Sequence, residues 1–545
     1  MGELEKYNVA VDKDAMSLEG DIGVSSDDAL RLAQLGHTQE LRRQYSLFSL
    51  CALCVCLMAT WEALSSVVAT ALITGGAPCL FYNYLLSAVC SICIASSLGE
   101  IASIYPTAGG QYHWVAALAP ASIRSTASWV TGWVSIGGQV VLTSSAAFAA
   151  GLQMQALIIV NNETYVPERW QGMLFYWLVL VYALALNIWG DRLLPYTNTV
   201  SGKYLTSVEG CSELTGLGAI HVIGFVTIVV VLGVMAPKNS ASFVFTEVTN
   251  SSGWSNDGVS WLVGLLSAVY PFLGYDAACH LAEEMPHASR NVPLAMVGSV
   301  TVNGLMGLVY VIIFLFSTGP LEKLLATPTG FPFMQIFLDA TKSQAGCTVL
   351  SVIITCTAVA ATVAGVTSTS RTLWAFARDK STPFDKQLSK VDKRLQIPVY
   401  AVVVVTVLQM LLGLIYLGNT TAFNAILSMS IIGMYVSYAF PIIAMLFARK
   451  SLQTSNGFGP FKLGHIAGPA ANVISLVWIT VVVIFSTFPS AMPVTPQNMN
   501  YSIVVMAGWL FAGIAYYVFR GKYKFEVPVV DLDVVEGLRD GVHEK

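Results

Sequence analysis

Charge is scarce in this chain: Asp, Glu, Lys and Arg together make up 11% of its 545 residues. A soluble domain carries roughly 25%, so a body of this size lacks the polar surface needed to meet water on every side. Disorder is excluded by the 55% share of hydrophobic residues and a mean hydropathy of +0.65, since so apolar a chain collapses or inserts. An excess of positive charge is lacking too. A net charge of −4 and a pI near 6.0 leave no basic footprint for a nucleic acid. No GxxxxGK(S/T) loop is present to drive an ATP-powered pump, and no HExxH or GxSxG marks a hydrolase, so an enzyme is not expected. Residues 1–44 are polar and lack the apolar core of a cleavable signal peptide; they read as a disordered cytosolic tail. Of the ten cysteines, Cys51, Cys54, Cys56, Cys90, Cys93, Cys347 and Cys356 sit within apolar runs without companion ligands. They read as small buried side chains rather than metal or redox pairs.

Apolar stretches of bilayer length, ~20 residues, recur near 47–73, 77–103, 127–158, 170–189, 218–236, 259–282, 293–317, 346–371, 398–417, 423–447, 469–488 and 501–519. These are about twelve spans within a transmembrane domain of 45–520, and an even number puts both termini, including a C-tail of 521–545, on one side. Two signals make that side cytosolic. Arg378, Lys380, Lys386, Lys390, Lys393 and Arg394 crowd the loop after span 8, and Arg520, Lys522 and Lys524 follow span 12, whereas the loop 489–500 has no Lys or Arg. The N-x-S/T sequons at Asn162, Asn250, Asn419 and Asn500 all fall in loops that this orientation puts outside. One segment breaks the pattern. Between Pro195 and Ala219 the chain is polar and precedes span 5 without a counterpart elsewhere. Gly202-Lys203-Tyr204 can be encoded with a GTAAGT donor, Glu213-Leu214-Thr215 with a branch-type CTGAC and Leu217-Gly218 with a TAG acceptor. Residues 203–217 therefore read as a retained intron, with a natural cytosolic loop insertion as the alternative.

Spans 1 and 6 carry the chemistry. Span 1 holds Glu62 near mid-depth beside Trp61 and the small residues Thr60, Ala63, Ser65 and Ser66. A lipid-facing carboxylate there costs on the order of 2.5–3.5 kcal/mol even on the mildest scale, so Glu62 is expected to face a wet cavity or a partner. In span 6, Pro271 and Gly274 flank Phe272-Leu273, and Asp276 follows Tyr275. Proline removes a helix hydrogen bond and glycine loosens the turn, and such backbone is tolerated at membrane depth only beside a protein cavity. Interrupted helices at matched positions of two halves point to a midplane binding site. Taken singly, each feature has a plainer reading: Glu62 protonated and bonded within the bundle, Asp276 a helix-packing group, Pro271 and Gly274 an ordinary kink.

The run from Gly99-Glu100-Ile101-Ala102-Ser103 through Tyr105-Pro106-Thr107-Ala108-Gly109-Gly110-Gln111 to Tyr112-His113-Trp114 follows span 2. Gly274-Tyr275-Asp276, Ala282-Glu283-Glu284 and Ala288-Ser289-Arg290-Asn291-Val292-Pro293 follow in and after span 6, and Ser370-Arg371-Thr372-Leu373-Trp374-Ala375-Phe376-Ala377-Arg378-Asp379 closes span 8. In these motifs, placed as they are among the spans, residues 37–520 resemble the amino acid–polyamine–organocation transporter superfamily. They are most similar to its fungal amino acid/choline group, which includes GABA permeases and choline permeases. The resemblance implies an all-α membrane fold of two inverted five-span repeats plus two C-terminal spans. Substrate would lie between broken spans 1 and 6, flanked by spans 3 and 8, and alternating access would move that bundle against a scaffold.

The sequence departs from the superfamily at one place. Counting back from Gly75-Gly76, the Gly-x-Gly break of many relatives falls on Trp61-Glu62-Ala63. A glutamate there repels a carboxylate and attracts an amine, with Trp61, Tyr270, Phe272 and Tyr275 available for cation–π contact. The expected cargo is thus a GABA-like amino acid, choline or a polyamine, imported by secondary active transport through a site of Thr60, Trp61, Glu62, Ala63, Tyr270, Phe272, Gly274, Tyr275 and Asp276. Glu100 and Arg371 read as inner-gate residues or helix anchors, Gly109 and Gly110 as structural, and Glu283 and Glu284 as solvated or Arg-paired. His221 in span 5 is a proton relay or an interface histidine. Ser368, Thr369 and Ser370 resemble a hydroxyl pair that helps bind sodium in distant relatives; a proton as coupling ion is implied by the fungal resemblance alone. Expected partners are the bilayer, the solute and the coupling ion, with no cofactor, metal or nucleic acid. The plasma membrane is the expected location, with the vacuolar membrane as the alternative. A non-transporting nutrient sensor on the same fold is the rival function; it usually needs a longer signalling tail.

Overall fold

Each apolar run becomes helix, because within a bilayer only a helix pairs its own backbone polar groups. A computed structural model of the chain describes residues 45–201, 212–418, 422–455, 457–496 and 498–528, together with 32, 39–41 and 43. Most of the expected tails 1–44 and 521–545, the sequon Asn419 and residues 203–211 of the 203–217 segment lie outside the described residues. Among the described residues ten helices are long and apolar enough to cross a membrane; the first, Leu47–Ile104, divides at Gly76 into two spans, and with the shorter apolar helix Ile220–Met235 at the place of span 5 they number twelve.

Span 1 comprises Leu47–Met58 and 60–75, and span 2 runs over 77–104. Spans 3, 4 and 5 are Arg124–Asn161, Arg169–Ser201 and Ser212–Met235. Span 6 lies within Asp257–His280. Spans 7 to 12 are Ala288–Phe316, Gln344–Arg378, Val399–Gly418, Ala422–Thr454, Ala467–Phe485 and Ser502–Lys524. A short helix, Gln111–Leu118, links spans 2 and 3. Among the described residues there is no β-strand.

Spans 1 to 4 each pack against the span five later in the chain: 1 on 6, 2 on 7, 3 on 8 and 4 on 9. That pairing is what two five-span repeats related by a pseudo-two-fold axis produce. Span 10 lies along span 3, where a Cβ added to Gly138 would come within 2.7 Å of the Gly433 carbonyl carbon. Backbones that close need small residues on both helices. The outer faces stay apolar. Val222, Ile223, Val226 and Val230 are exposed on span 5, and Phe511, Ile514 and Val518 on span 12. In water such faces would drive association; in a bilayer they are simply lipid-facing. The protein is a multi-pass integral membrane protein.

Both ends of the described chain meet one face of the bundle, called here the tail face. The Tyr45 amide donates to the Glu284 carbonyl, and the Glu526 amide to that of Asp379. On the far face, the Asn500 side-chain amide donates to Ser428 and to the carbonyls of Ser486 and Phe488, and that of Asn250 to Trp254 and Asp257. Asn162 is exposed there.

Candidate functional site

Two helix interruptions face one another at mid-depth. In span 1 the break is Ala59, a non-glycine residue in the left-handed region (φ 41°, ψ 49°). It comes just ahead of the expected Trp61-Glu62-Ala63, which instead form the first turn of the second half-helix. The correction has a simple cause: an isolated alanine gives no breaker signal in sequence, and its strained conformation is held only by its surroundings. In span 6 the chain tightens into a 3₁₀ turn over Tyr270–Phe272, extends at Leu273 and reverses at Gly274 with φ 108°. Only two short turns, Ala277–His280 and Ala282–Glu284, follow before span 7. The breaks are joined directly. The Thr60 hydroxyl donates to the Pro271 carbonyl at 2.7 Å, an acceptor that the interrupted helix leaves free. A Cβ on Gly274 would lie 3.0 Å from Leu57, so glycine is needed there for both conformation and space.

A small cavity of about 40 Å³ opens beside the two breaks. Span 1 lines it with Met58, Ala59, Glu62 and Ala63, span 6 with Tyr270 and Leu273, and small or aliphatic residues of spans 3 and 8 complete it. Glu62 is the one carboxylate among the lining residues. It is 1% exposed, and its Oε1 lies 2.7 Å from His221 Nδ1 on span 5, while Oε2 has no hydrogen-bond partner among the described residues. The Tyr270 hydroxyl pairs with Ser145 of span 3 at 2.7 Å.

The remaining expected binding residues point elsewhere. Trp61 packs among His221, Phe225 and Tyr310, Phe272 against Tyr84, and Tyr275 against Tyr438, so Tyr270 is the aromatic at the cavity wall. Asp276 turns toward the tail face. Its Oδ1 accepts from the Tyr438 hydroxyl (2.8 Å) and its Oδ2 from Gln111 Nε2 (3.0 Å), with His280 Nε2 at 3.4 Å. Gln139 Nε2 donates to His280 Nε2, which assigns the Nδ1–H tautomer, with Nδ1 donating to the Ala108 carbonyl. Gln139 Oε1 in turn accepts from Thr372. Asp276 thus ties span 6 to the Gln111–Leu118 helix and span 10, and His280 beside it reaches spans 3 and 8 through Gln139. Gly110 makes room for it: its φ is +56°, and a Cβ would reach His280 at 2.7 Å. Gly109 faces Tyr112 and His113 as closely, with Tyr112 at 2.9 Å from an added Cβ.

At the tail face, carboxylates and guanidiniums bolt the elements together. Arg378 holds Glu283 bidentately at 2.9 Å through both terminal nitrogens, and the Ala108 amide donates to Glu283 Oε1. Arg371 Nε donates to Glu284 at 2.9 Å. Arg449 of span 10 grips Glu100 at 2.7 and 3.1 Å, and the Leu463 amide adds a third donor to that carboxylate. Fork-on-fork pairs of this kind combine strength with fixed geometry. Arg378, Arg449, Tyr438 and His280 did not emerge from the sequence. Arg378 closes a run that carried the resemblance, but Arg449 and Tyr438 lie in a span with no motif to single them out. The Thr369 hydroxyl meets Thr143 of span 3 at 3.3 Å and so turns toward span 3 rather than to the span 1 break, while the Ser368 carbonyl accepts from Thr372 within their own helix. Among the described residues no three His, Cys, Asp or Glu side chains group as metal ligands.

Comparison with known proteins matches this architecture. A family model described as "Amino acid permease" matches residues 45–208 and 209–509. A choline transporter of Saccharomyces cerevisiae is 30% identical over 89% of this chain and 83% of its own length. An uncharacterized amino-acid permease of Schizosaccharomyces pombe is 31% identical over 95% of this chain and 92% of its own. An amino-acid permease of Arabidopsis thaliana is 28% identical over 95% and 100%. These relatives are named as carriers, not enzymes, and their similarity spans the broken helices and the bolted face alike. The chain belongs to the amino acid permease family of the amino acid–polyamine–organocation superfamily.

Proposed function

We propose that the protein is a secondary active transporter of a small amine-bearing solute, whose cationic group is held by Glu62 in the cavity between the broken spans. The observation that carries this is Glu62 itself, the lone carboxylate in a largely apolar wall. A buried carboxylate draws a cation and repels an anion. The Tyr270 ring adds a face for a quaternary or primary ammonium, and Thr60 ties the two breaks so that they move together. A GABA-like amino acid, choline and polyamines are the candidate cargoes; the likeness to a choline transporter supports the second of these.

The tail face is the cytosolic one, on the Lys/Arg bias of the loops. The bolts Glu283–Arg378, Glu284–Arg371 and Glu100–Arg449, with the Asp276 network, form the inner closure in this reading. The fungal resemblance supports import and proton coupling, at the plasma or vacuolar membrane. The segment 203–217 is read as an insertion on its polar character, which breaks the pattern of spans between Pro195 and Ala219. Uptake assays in a permease-deficient fungal strain, against amino acids, choline and polyamines, test the function. Glu62→Gln is expected to lower uptake about 100-fold while the protein still reaches the membrane; near-normal uptake removes Glu62 from the site.

A further inference from the structure

Glu62 is not waiting bare for its cargo. Its Oε1 already pairs with His221 Nδ1 at 2.7 Å, and both side chains are 1% exposed. His221 does not line the cavity, whereas Glu62 does, so the histidine approaches the carboxylate from behind. His221 Nε2 and Glu62 Oε2 have no hydrogen-bond partner among the described residues. The other titratable groups facing the pair are the Cys56 thiol on span 1 and the Tyr310 hydroxyl on span 7, the latter bonded to Ser65 at 2.6 Å. Span 8 meets span 5 with Ile353 against Gly224. Among the described residues no Asp, Lys or Arg from any packed element forms an ion pair with Glu62 or His221. The charge state of this buried site is therefore decided by the pair and by whatever enters the cavity.

Charge balance then dictates the behaviour. With His221 as imidazolium, the Glu62 carboxylate is neutralised, and a cation entering the cavity would add an unpaired buried charge. With neutral His221, the site carries one negative charge that the cation cancels. We infer that the proton on the Glu62–His221 pair and the cationic cargo are mutually exclusive occupants, so that each monovalent cation bound displaces one proton. The Nε2–H bond of the His221 imidazolium breaks and its proton passes to water, while Nδ1–H stays on His221 and keeps donating to Glu62 Oε1; no other bond changes. After release of the cation the pair recovers a proton, and the empty site crosses back neutral. One proton thus moves against each cation, and the amine is driven toward the more acidic compartment. At the plasma membrane exchange of this sign would run against import, so of the two membranes considered above it suits the vacuolar one, where uptake is into an acidic lumen.

This inference rests on Glu62 being the counter-charge of the cargo, and the test separates the two. Binding of choline, putrescine and GABA to the purified full-length protein is measured by calorimetry from pH 5 to 9, in buffers of differing ionisation enthalpy. For choline, the apparent affinity should rise up to about tenfold per pH unit and then level off, with one proton released per choline on the rising limb. His221→Gln should bind choline with no pH slope over that limb, and His221→Lys, a permanent cation, should bind it at no pH. An affinity that is flat or higher at acid pH in the wild type, or a slope kept in His221→Gln, overturns the inference and leaves the function standing. If none of the three solutes binds at any pH, the function assigned to Glu62 falls as well. Proton release by the wild type decides the matter even where the variants fail to fold.

Discussion

Single residues set the hard limits of this molecule. Gly274 must be glycine, having a φ of 108° and Leu57 at 3.0 Å from any added Cβ. Gly274→Ala is expected to abolish uptake and lower the thermal midpoint of the detergent-solubilised protein; unaltered uptake would show that the two breaks do not need this close approach. Glu100 illustrates another limit. It is fully buried and accepts from both Arg449 terminal nitrogens and the Leu463 amide. Removing one charge of a buried pair typically costs about 3–5 kcal/mol, because the other is left uncompensated. Glu100→Gln should therefore lower the thermal midpoint sharply, as read by fluorescence-detected size exclusion after heating. Glu62, Pro271 and Gly274 were legible in sequence because a carboxylate, a proline and a glycine are each anomalous in an apolar run. Ala59 was not, because an alanine is ordinary anywhere in a helix and only its φ of 41° betrays the break.

At the scale of elements, the breaks and the bolts are what can change. The Thr60–Pro271 bond couples spans 1 and 6, and Thr60→Val would leave the Pro271 carbonyl unpaired at a cost of about 1–3 kcal/mol. The expected result is a slower maximal uptake rate, with Thr60→Ser restoring much of it. At the tail face, Glu283→Gln discards the charge that Arg378 grips and loosens span 6 from span 8. A cysteine placed at Ala108, which is buried, should react with a membrane-impermeant thiol reagent from the tail face faster in that background. Asp379, just beyond span 8, gives this face a pH dependence. Burial pushes its carboxyl up to about 7, against the opposing pull of the Arg378 guanidinium and the Tyr112 hydrogen bond. The packed form thus holds the proton more tightly than a solvated carboxylate of pKa about 3.9 does. Its stabilisation is complete below about pH 4 and is lost as pH rises through about 7. The wild-type thermal midpoint should fall over that window, and Asp379→Asn should flatten that part of the decline.

Across the whole molecule, the scarcity of charge did more than indicate a membrane. It made the spans countable and left few ionisable groups inside them to explain. Residues 203–217 stand apart at this scale: a cDNA lacking them as the major transcript is expected, and the shortened protein should transport at least as well; a transcript carrying them as the sole form sinks the retained-intron reading. The twelve spans and the interruption of spans 1 and 6 were implied by local signals, namely apolar length and breakers, and the pairing at an interval of five by the family resemblance. Side-chain partnerships were not. Glu62 meets His221, Asp276 meets Tyr438, and Glu100 meets Arg449, each across more than 150 residues of chain. Such pairings depend on how each helix is rotated about its axis and how closely small residues such as Gly138 and Gly433 let spans approach. The sequence by itself determined that this is a membrane carrier with two broken spans and a carboxylate beside one break. Only the tertiary structure decided that Glu62 faces the cavity with a histidine behind it while Asp276 turns to the tail face, because helix rotation is set by distant neighbours and not by the residues on either side.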